Sequence, residues 1–353
     1  MASPAINLHD FEALARDRLD PAAFDYIAGG AGDEGTLAAN RAAWDAICLV
    51  PRVLRDVSTV DTGIECLGRR WPHPLWMAPM AWQRMAHPHG EAASALAAAA
   101  QGAGFVLAEQ AGVSIEEIGA LVRDEPGRGP LTLQMRLHHD RGFDLALTER
   151  ARAAGFDAIV LTLDSVCNGA RDRERRGGFA PPPGVTAVNL ADLPPPPADA
   201  ATHPAMTWND LDWLLGACKL PVLVKGLLHP ADAKQAAAAG VAAIVVSNHG
   251  GRTLDSGFAT ARALPRIADA VAGSVPLLVD GGIRRGTDVL KALALGARAV
   301  LVGRPLYFAL AAAGPQGVAQ ALRLLRDELE IAMVLAGCAT TAQAGPDLLD
   351  RPA

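Results

Sequence analysis

The chain has 353 residues and a net charge of −6, with 50% of its residues hydrophobic and 20% charged. That composition can bury a large core and excludes a wholly disordered chain, and basic residues this scattered exclude a surface that follows a phosphate backbone, so no nucleic acid is expected as partner. Five cysteines at irregular spacing, with no CxxC pair, suit free thiols in a reducing compartment, and the cytoplasm is the expected location.

The opening stretch MASPAINLHDFEALARDRL carries acidic residues early and lacks an apolar core of signal-peptide length. No later stretch reaches the roughly eighteen uninterrupted apolar residues of a membrane helix, so a soluble, unprocessed protein without a membrane partner is expected. Residues 1–70 read as N-terminal helices and a connecting segment, an extension packed on the remainder of the chain. From about residue 75, short β-rich runs alternate with longer amphipathic stretches such as ADAKQAAAAG and GTDVLKALALG. This is the pattern of parallel strands joined by crossover helices. The predicted strands are 75–79, 104–108, 131–136, 158–164, 221–225, 243–247, 276–280 and 299–303. Eight such units over residues 71–353 fit an α/β fold with a closed (β/α)8 TIM barrel better than an open doubly wound sheet. Residues 177–206, with APPPGV and LPPPPADAATHP, are too proline-rich for a helix or a central strand. They read as a long excursion after the fourth strand, either a floppy surface loop or a lid.

In a barrel of this kind the C-terminal ends of the strands share one rim, where chemistry is placed. Polar residues recur there: Gln134 and Arg136, Thr162 and Asp164, Lys225, Ser247 with Asn248 and His249, and Asp280. The two-residue side-chain period turns Gln134 and Arg136 the same way, and likewise Thr162 and Asp164. DGGIRRG after the seventh strand and GRP after the eighth supply glycine backbone, helix N-termini and the guanidinium groups of Arg284 and Arg304, the parts of a phosphate site. Lys225, on a rim otherwise apolar, is expected to face a ligand, since desolvating its charge for structure alone brings no return. His249 and Asp164, with Arg171 and Arg252 in the same rim set, read as a base, its orienting carboxylate and carboxylate-binding arginines. No metal site is predicted.

At SNHGGR, residues 247–252, the chain resembles the FMN-dependent 2-hydroxy acid oxidase and dehydrogenase family, which includes glycolate, lactate and mandelate oxidases. The likeness runs nearly end to end, through FDYIAGGAGDEGTLAANR, APMAWQRMAHPHGE, LTLD, LPVLVKG, VDGGIRRGTDVLKALALGA and VLVGRP. The resemblance implies FMN as cofactor and a small 2-hydroxy acid as substrate, oxidised to the 2-oxo acid. It places the base on His249, its partner on Asp164, carboxylate-binding arginines on Arg252 and Arg171, and a substrate tyrosine on Tyr26. Backbone at Ala81 with Gln134, Thr162, Lys225 and Ser247 would hold the flavin ring; Asp280, Gly282, Arg284, Gly303 and Arg304 would hold the ribityl phosphate. His249 would remove the C2 proton while two electrons pass to flavin N5, Asp164 would stabilise the imidazolium, and Lys225 would stabilise the charge that develops on the reduced flavin. A homotetramer is implied as well. The excursion after the fourth strand lacks the apolar and basic insert of the membrane-bound mandelate dehydrogenases, and no haem domain precedes the barrel. Oxygen or a soluble acceptor is therefore expected. The alternative is an FMN-binding barrel with altered chemistry, either a non-redox isomerase or a flavoprotein without turnover.

The chain departs from the family pattern where substrates are told apart. Arg136 stands where a tyrosine is usual, Ala108 and Gln110 replace a serine and an aromatic residue, and Thr253 follows SNHGGR in place of glutamine. Tyr26 and Tyr307 are the only tyrosines, and Tyr307, past the eighth strand, is expected to be too far away to substitute. Because Arg136 shares its face with Gln134, it is expected to reach the substrate cavity and to select a second acidic or strongly polar group. The competing expectation is that it folds onto Glu109 as a structural ion pair.

Overall fold

The computed structural model describes residues 5–196 and 206–350. Eight parallel strands close into a barrel: β1 (Leu75–Met77), β2 (Gly104–Ala108), β3 (Leu131–Met135), β4 (Ala158–Thr162), β5 (Val222–Leu227), β6 (Ala243–Val246), β7 (Leu277–Val279) and β8 (Ala299–Val302). They neighbour one another in chain order, with β8 pairing back onto β1. Helices cover the outside, so every strand is buried on both faces and reads as a nearly continuous apolar run.

Side-chain parity sorts those runs into two cores. One set of alternate residues, including Met77, Leu107, Leu133, Leu161 and Val246, packs outward against the helices. The other set, including Trp76, Val106, Val160, Leu223, Val245 and Leu278, fills the barrel interior. Continuing the inward set by two-residue steps toward the C-terminal ends reaches Gln134, Arg136, Thr162, Asp164, Lys225, Ser247 and Asp280. The polar rim is thus the inner face of the barrel carried past its apolar plug.

The stretch read as a connecting segment contains an antiparallel hairpin, Ile64–Cys66 with Arg69–Trp71, which straddles residue 70. Its Ile64, Cys66 and Trp71 belong to the interior cluster and close the bottom of the barrel. Ahead of it lie α1 (Leu8–Arg16), α2 (Pro21–Ala28) and α3 (Gly35–Asp45). Asp20 caps α2 by accepting the Ala22 N–H at 2.9 Å, with Pro21 opening the first turn; such a cap contributes about 1 kcal/mol. The helix matters because it carries Tyr26 to the mouth.

The excursion after β4 is described up to residue 196, and residues 197–205 of the predicted proline-rich loop lie outside the described residues. Its described part is pinned. Asn189 is fully buried, accepting the Ile115 N–H at 2.9 Å and donating to the Val113 carbonyl at 3.1 Å. Among the described residues no helix is long and apolar enough to cross a membrane.

Candidate active site

The C-terminal mouth encloses a cavity of about 410 Å3. His249 lines it and forms a dyad with Asp164 behind the wall: His249 Nδ1 lies 2.9 Å from Asp164 Oδ1. A carboxylate can only accept there, so Nδ1 carries the proton and Nε2 presents its lone pair. Burial, then the neighbouring Lys225 charge, hold the imidazole below its ordinary pKa despite Asp164, so His249 is neutral near pH 7. Burial pushes the Asp164 carboxyl up, but His249 and Lys225 outweigh it and hold it low, so it stays ionised. Gly226 makes room for this carboxylate: its φ is 111°, and a Cβ there would lie 2.6 Å from the Asp164 Cβ.

Three consecutive residues, His249, Gly250 and Gly251, adopt left-handed backbone, with φ of 57°, 63° and 76°. This is uncommon for a histidine and turns its ring into the mouth. The loop is braced by residues more than 200 positions away. Asn248 and Asn40 exchange amide hydrogen bonds at 2.8 and 2.9 Å, and Asp255 accepts the N–H groups of Asp33 and Thr36 at 2.9 and 2.7 Å. Arg252, in the same loop, donates to the carbonyls of Tyr26 and Gly29 and lies over the Tyr26 ring at 4.9 Å. Arg171 donates to the Arg252 carbonyl and pairs with Glu174 at 3.1 Å. Burial raises the Tyr26 phenol above its ordinary value and keeps it protonated.

Lys225 corrects one expectation. Its surroundings are polar: Nζ donates to Ser247 Oγ at 2.9 Å and lies 3.3 Å from Asp280 Oδ2. Asp280, expected at the phosphate end, turns its carboxylate to Lys225 because β5, β6 and β7 are consecutive and both residues follow the inward parity. Thr162, Asp164 and Ser247 stand behind the cavity wall, whereas Ala81, Gln134, Gly282 and Gly303 line it. Tyr307 is a second correction. It lines the cavity, and its hydroxyl donates to the carbonyl of Trp82 at 2.7 Å. It sits one turn past β8, and barrel closure puts β8 beside β1.

Arg136 both reaches the cavity and pairs with Glu109, so the two expected placements are not exclusive. It lines the cavity, and its Nε donates to Glu109 Oε1 at 2.8 Å. Sequence reasoning missed Trp82, Glu174 and Phe179, all in the cavity wall. The three-residue spacing of Arg171 and Glu174 signals their pairing on a helix, but nothing in the local sequence signals that Phe179 stacks on Tyr26 at 4.2 Å.

The residues present fit a flavin phosphate. Arg284 and Arg304 line the cavity without a carboxylate partner among the described residues, and burial holds both guanidinium groups below their ordinary range. Gly303 precedes the helix Arg304–Ala336; Pro305 has no N–H and the Leu306 N–H donates to the Gly303 carbonyl at 2.9 Å, which leaves the Arg304 N–H at the helix start. Gly281 and Gly282 have φ of 87° and 85°, and a Cβ at Gly282 would meet the Asn40 carbonyl at 2.6 Å. Thr162 Oγ1 and Asp280 Oδ1 are buried with no partner, orphan polar atoms beside the position expected for the ring.

Comparisons with known proteins agree. A family profile described as FMN-dependent dehydrogenase matches residues 15–351. An L-lactate oxidase of Nostoc sp. is 46% identical over 349 residues, covering 95% of each chain. Glycolate oxidase 1 of Zea mays is 43% identical over 349 residues, 96% of this chain and 93% of its own. A crystal structure of mandelate oxidase with (S)-2-phenylpropionate superposes with a TM-score of 0.90 at 44% identity, covering 98% of both chains. This chain belongs to the FMN-dependent dehydrogenase family.

Proposed function

We propose that the chain oxidises a 2-hydroxy acid to the 2-oxo acid with His249 as the base. The observation that carries this is the His249–Asp164 dyad at 2.9 Å, open to a cavity also lined by Arg171 and Arg252. Relatives named for lactate, glycolate and mandelate oxidation support the substrate class and do not favour an isomerase or a flavoprotein without turnover.

FMN, when bound, would supply a two-electron acceptor; Arg284, Arg304 and the backbone of Gly282 and Gly303 would hold its phosphate, and Gln134, Lys225 and Ala81 would border its ring, with Thr162 and Ser247 behind them. Arg171, Arg252 and the Tyr26 hydroxyl bind the substrate carboxylate and fix the C2 centre below His249. Nε2 then takes the proton. The new imidazolium is stabilised by Asp164 through Nδ1–H, an interaction stronger after proton transfer than before it. Lys225, already cationic and paired with Asp280, offers positive charge to the side of the site where electron density arrives.

The reading extends to a barrel domain over 71–353 with residues 1–70 as a packed extension, a cytoplasmic location, and oxygen or a soluble acceptor. Five cysteines without a disulfide support the compartment. A homotetramer is supported by exposed Ile331, Val334 and Leu335 on one end of the C-terminal helix, near exposed Val53 and Leu54. Anaerobic mixing of the yellow holoprotein with a panel of 2-hydroxy acids tests the central claim. Bleaching of the flavin absorbance is expected; no bleaching with any member overturns it.

A further inference from the structure

The wall opposite the base carries charge that the oxidation does not use. In the closed barrel β2 stands four strands from β6, so the β2–β3 rim faces the rim bearing His249. There the Glu109 side chain, only 2% exposed, accepts both the main-chain N–H and the Nε of Arg136, each at 2.8 Å. Behind it, His138 Nε2 lies 3.6 Å from Glu109 Oε2, and its Nδ1 lies 2.6 Å from Asp144. Using Nε in the clamp fixes the guanidinium plane. Nη1 and Nη2 are left without a protein partner among the described residues, on a side chain that lines the cavity beside Gln110.

A charge count decides what this wall can hold. Six cationic side chains and three carboxylates line the cavity. Each carboxylate is paired: Glu109 with Arg136, Glu174 with Arg171, Asp280 with Lys225. The surplus is Arg252, Arg284 and Arg304, which one phosphate dianion and one substrate carboxylate neutralise. Arg136 is compensated before any substrate arrives, and a second substrate carboxylate would oppose Glu109 across one shared guanidinium. An alkyl or aryl tail fails differently, by burying the Arg136 donors and the Gln110 amide without partners. A hydroxyl or carbonyl oxygen satisfies them without adding charge.

We infer that Arg136, held by Glu109 and flanked by Gln110, selects 2-hydroxy acids whose tail carries a further uncharged oxygen, against both apolar-tailed acids and diacids. The inference rests on the oxidase reading above and names the substrate class that reading leaves open. It also narrows the expectation of an acidic or strongly polar second group to the uncharged case.

Anaerobic flavin reduction of the holoenzyme by 2-hydroxybutyrate, 2,4-dihydroxybutyrate and malate, acids of similar size, tests it. The dihydroxy acid is expected to half-saturate reduction at a concentration at least about tenfold lower than either of the others, the scale of one unsatisfied buried polar group. In Glu109→Gln the opposing charge is gone, and malate is expected to come within about threefold of the dihydroxy acid while 2-hydroxybutyrate stays weak. Equal weakening of all three in that variant overturns the inference, since that is what a merely structural pair gives. Retention of the flavin spectrum reports whether the variant folds. If it does not, Gln110→Ala takes its place and is expected to penalise the dihydroxy acid at least about threefold more than 2-hydroxybutyrate; equal penalties overturn the inference. Malate or 2-hydroxybutyrate matching the dihydroxy acid in the native enzyme, or bleaching by lactate or glycolate alone, also overturns it and leaves the oxidase reading standing. No bleaching by any 2-hydroxy acid overturns both.

Discussion

On the β4–β6 side of the mouth, His249 bonds to Asp164, and Lys225 to Asp280 at the end of the neighbouring β7. Ser247 joins the two pairs by accepting from Lys225 Nζ and the His249 N–H, and the histidine loop is braced by α3. On the β2–β3 side, Glu109 and Arg136 bond across adjacent strands, 27 residues apart in sequence. The first arrangement is a network: changing one member leaves a buried partner uncompensated, which is costly. The second is a separate chain of contacts, Arg136 on Glu109 with His138 and Asp144 behind it, that shares no bond with the first among the described residues, so it can vary while the base and its carboxylate stay in place. The difference makes the β2–β3 wall the side on which specificity can vary without disturbing the dyad.

The largest test of that contrast is His249→Gln. FMN is expected to remain bound while flavin reduction slows by at least about 100-fold, the scale of a positioned general base. Near-normal reduction by stopped-flow would place the base outside the β4–β6 network. The same group sets the pH dependence. Since burial and Lys225 lower its pKa, the reactive neutral imidazole is present above that pKa and is lost as pH falls through it. The acid limb of kcat/KM is therefore expected below the ordinary histidine value of about 6.5, and a limb above that value would contradict the assignment.

A second test moves to the phosphate end, which neither side of the mouth shares. Arg284→Ala removes a guanidinium that forms no salt bridge among the described residues, so the loss falls on ligand binding and not on an internal ion pair. FMN affinity measured by fluorescence titration of the apoprotein is expected to fall roughly 10- to 100-fold, as for one charge-assisted contact of about 1.5–3 kcal/mol. With saturating FMN, the substrate ranking is expected to be unchanged. A reordered ranking would tie the phosphate loops to specificity.

The two sides also differ in how far they could be read from the chain. Strand spacing and the two-residue period placed Gln134, Arg136, Thr162, Asp164, Lys225 and Asp280 on one inner face, because a closed barrel offers only inward and outward. Which of those residues bond was legible only in part. Asp280 lies near the phosphate motif in sequence, yet its carboxylate faces Lys225, since partners across β5–β7 are set by barrel closure. Tyr307 was hidden for the same reason, through the β8–β1 seam. Phe179 was beyond reach because irregular chain has no period to project.

That residue supplies the smallest prediction and the one that tests whether the excursion belongs to either side. Phe179 stacks on Tyr26 with ring centroids 4.2 Å apart and planes at 17°, and Trp82 lies 5.6 Å from Tyr26 on the same aromatic wall. Tyr26 in turn lies against Arg252, so the ring that Phe179 covers links it to the acid-binding end. An aromatic pair of this kind is worth about 0.5–1.5 kcal/mol beyond its buried area. Losing it should loosen Tyr26 without touching His249, an effect on binding common to ground and transition states. Phe179→Ala is therefore expected to raise KM roughly two- to tenfold with kcat changed less than about twofold. Steady-state kinetics on one good substrate separates the cases. A fall in kcat as large as the rise in KM would mean that the excursion positions the reacting centre itself, joining it to the β4–β6 network, whereas no change in either would make it a cover that the bound substrate does not feel.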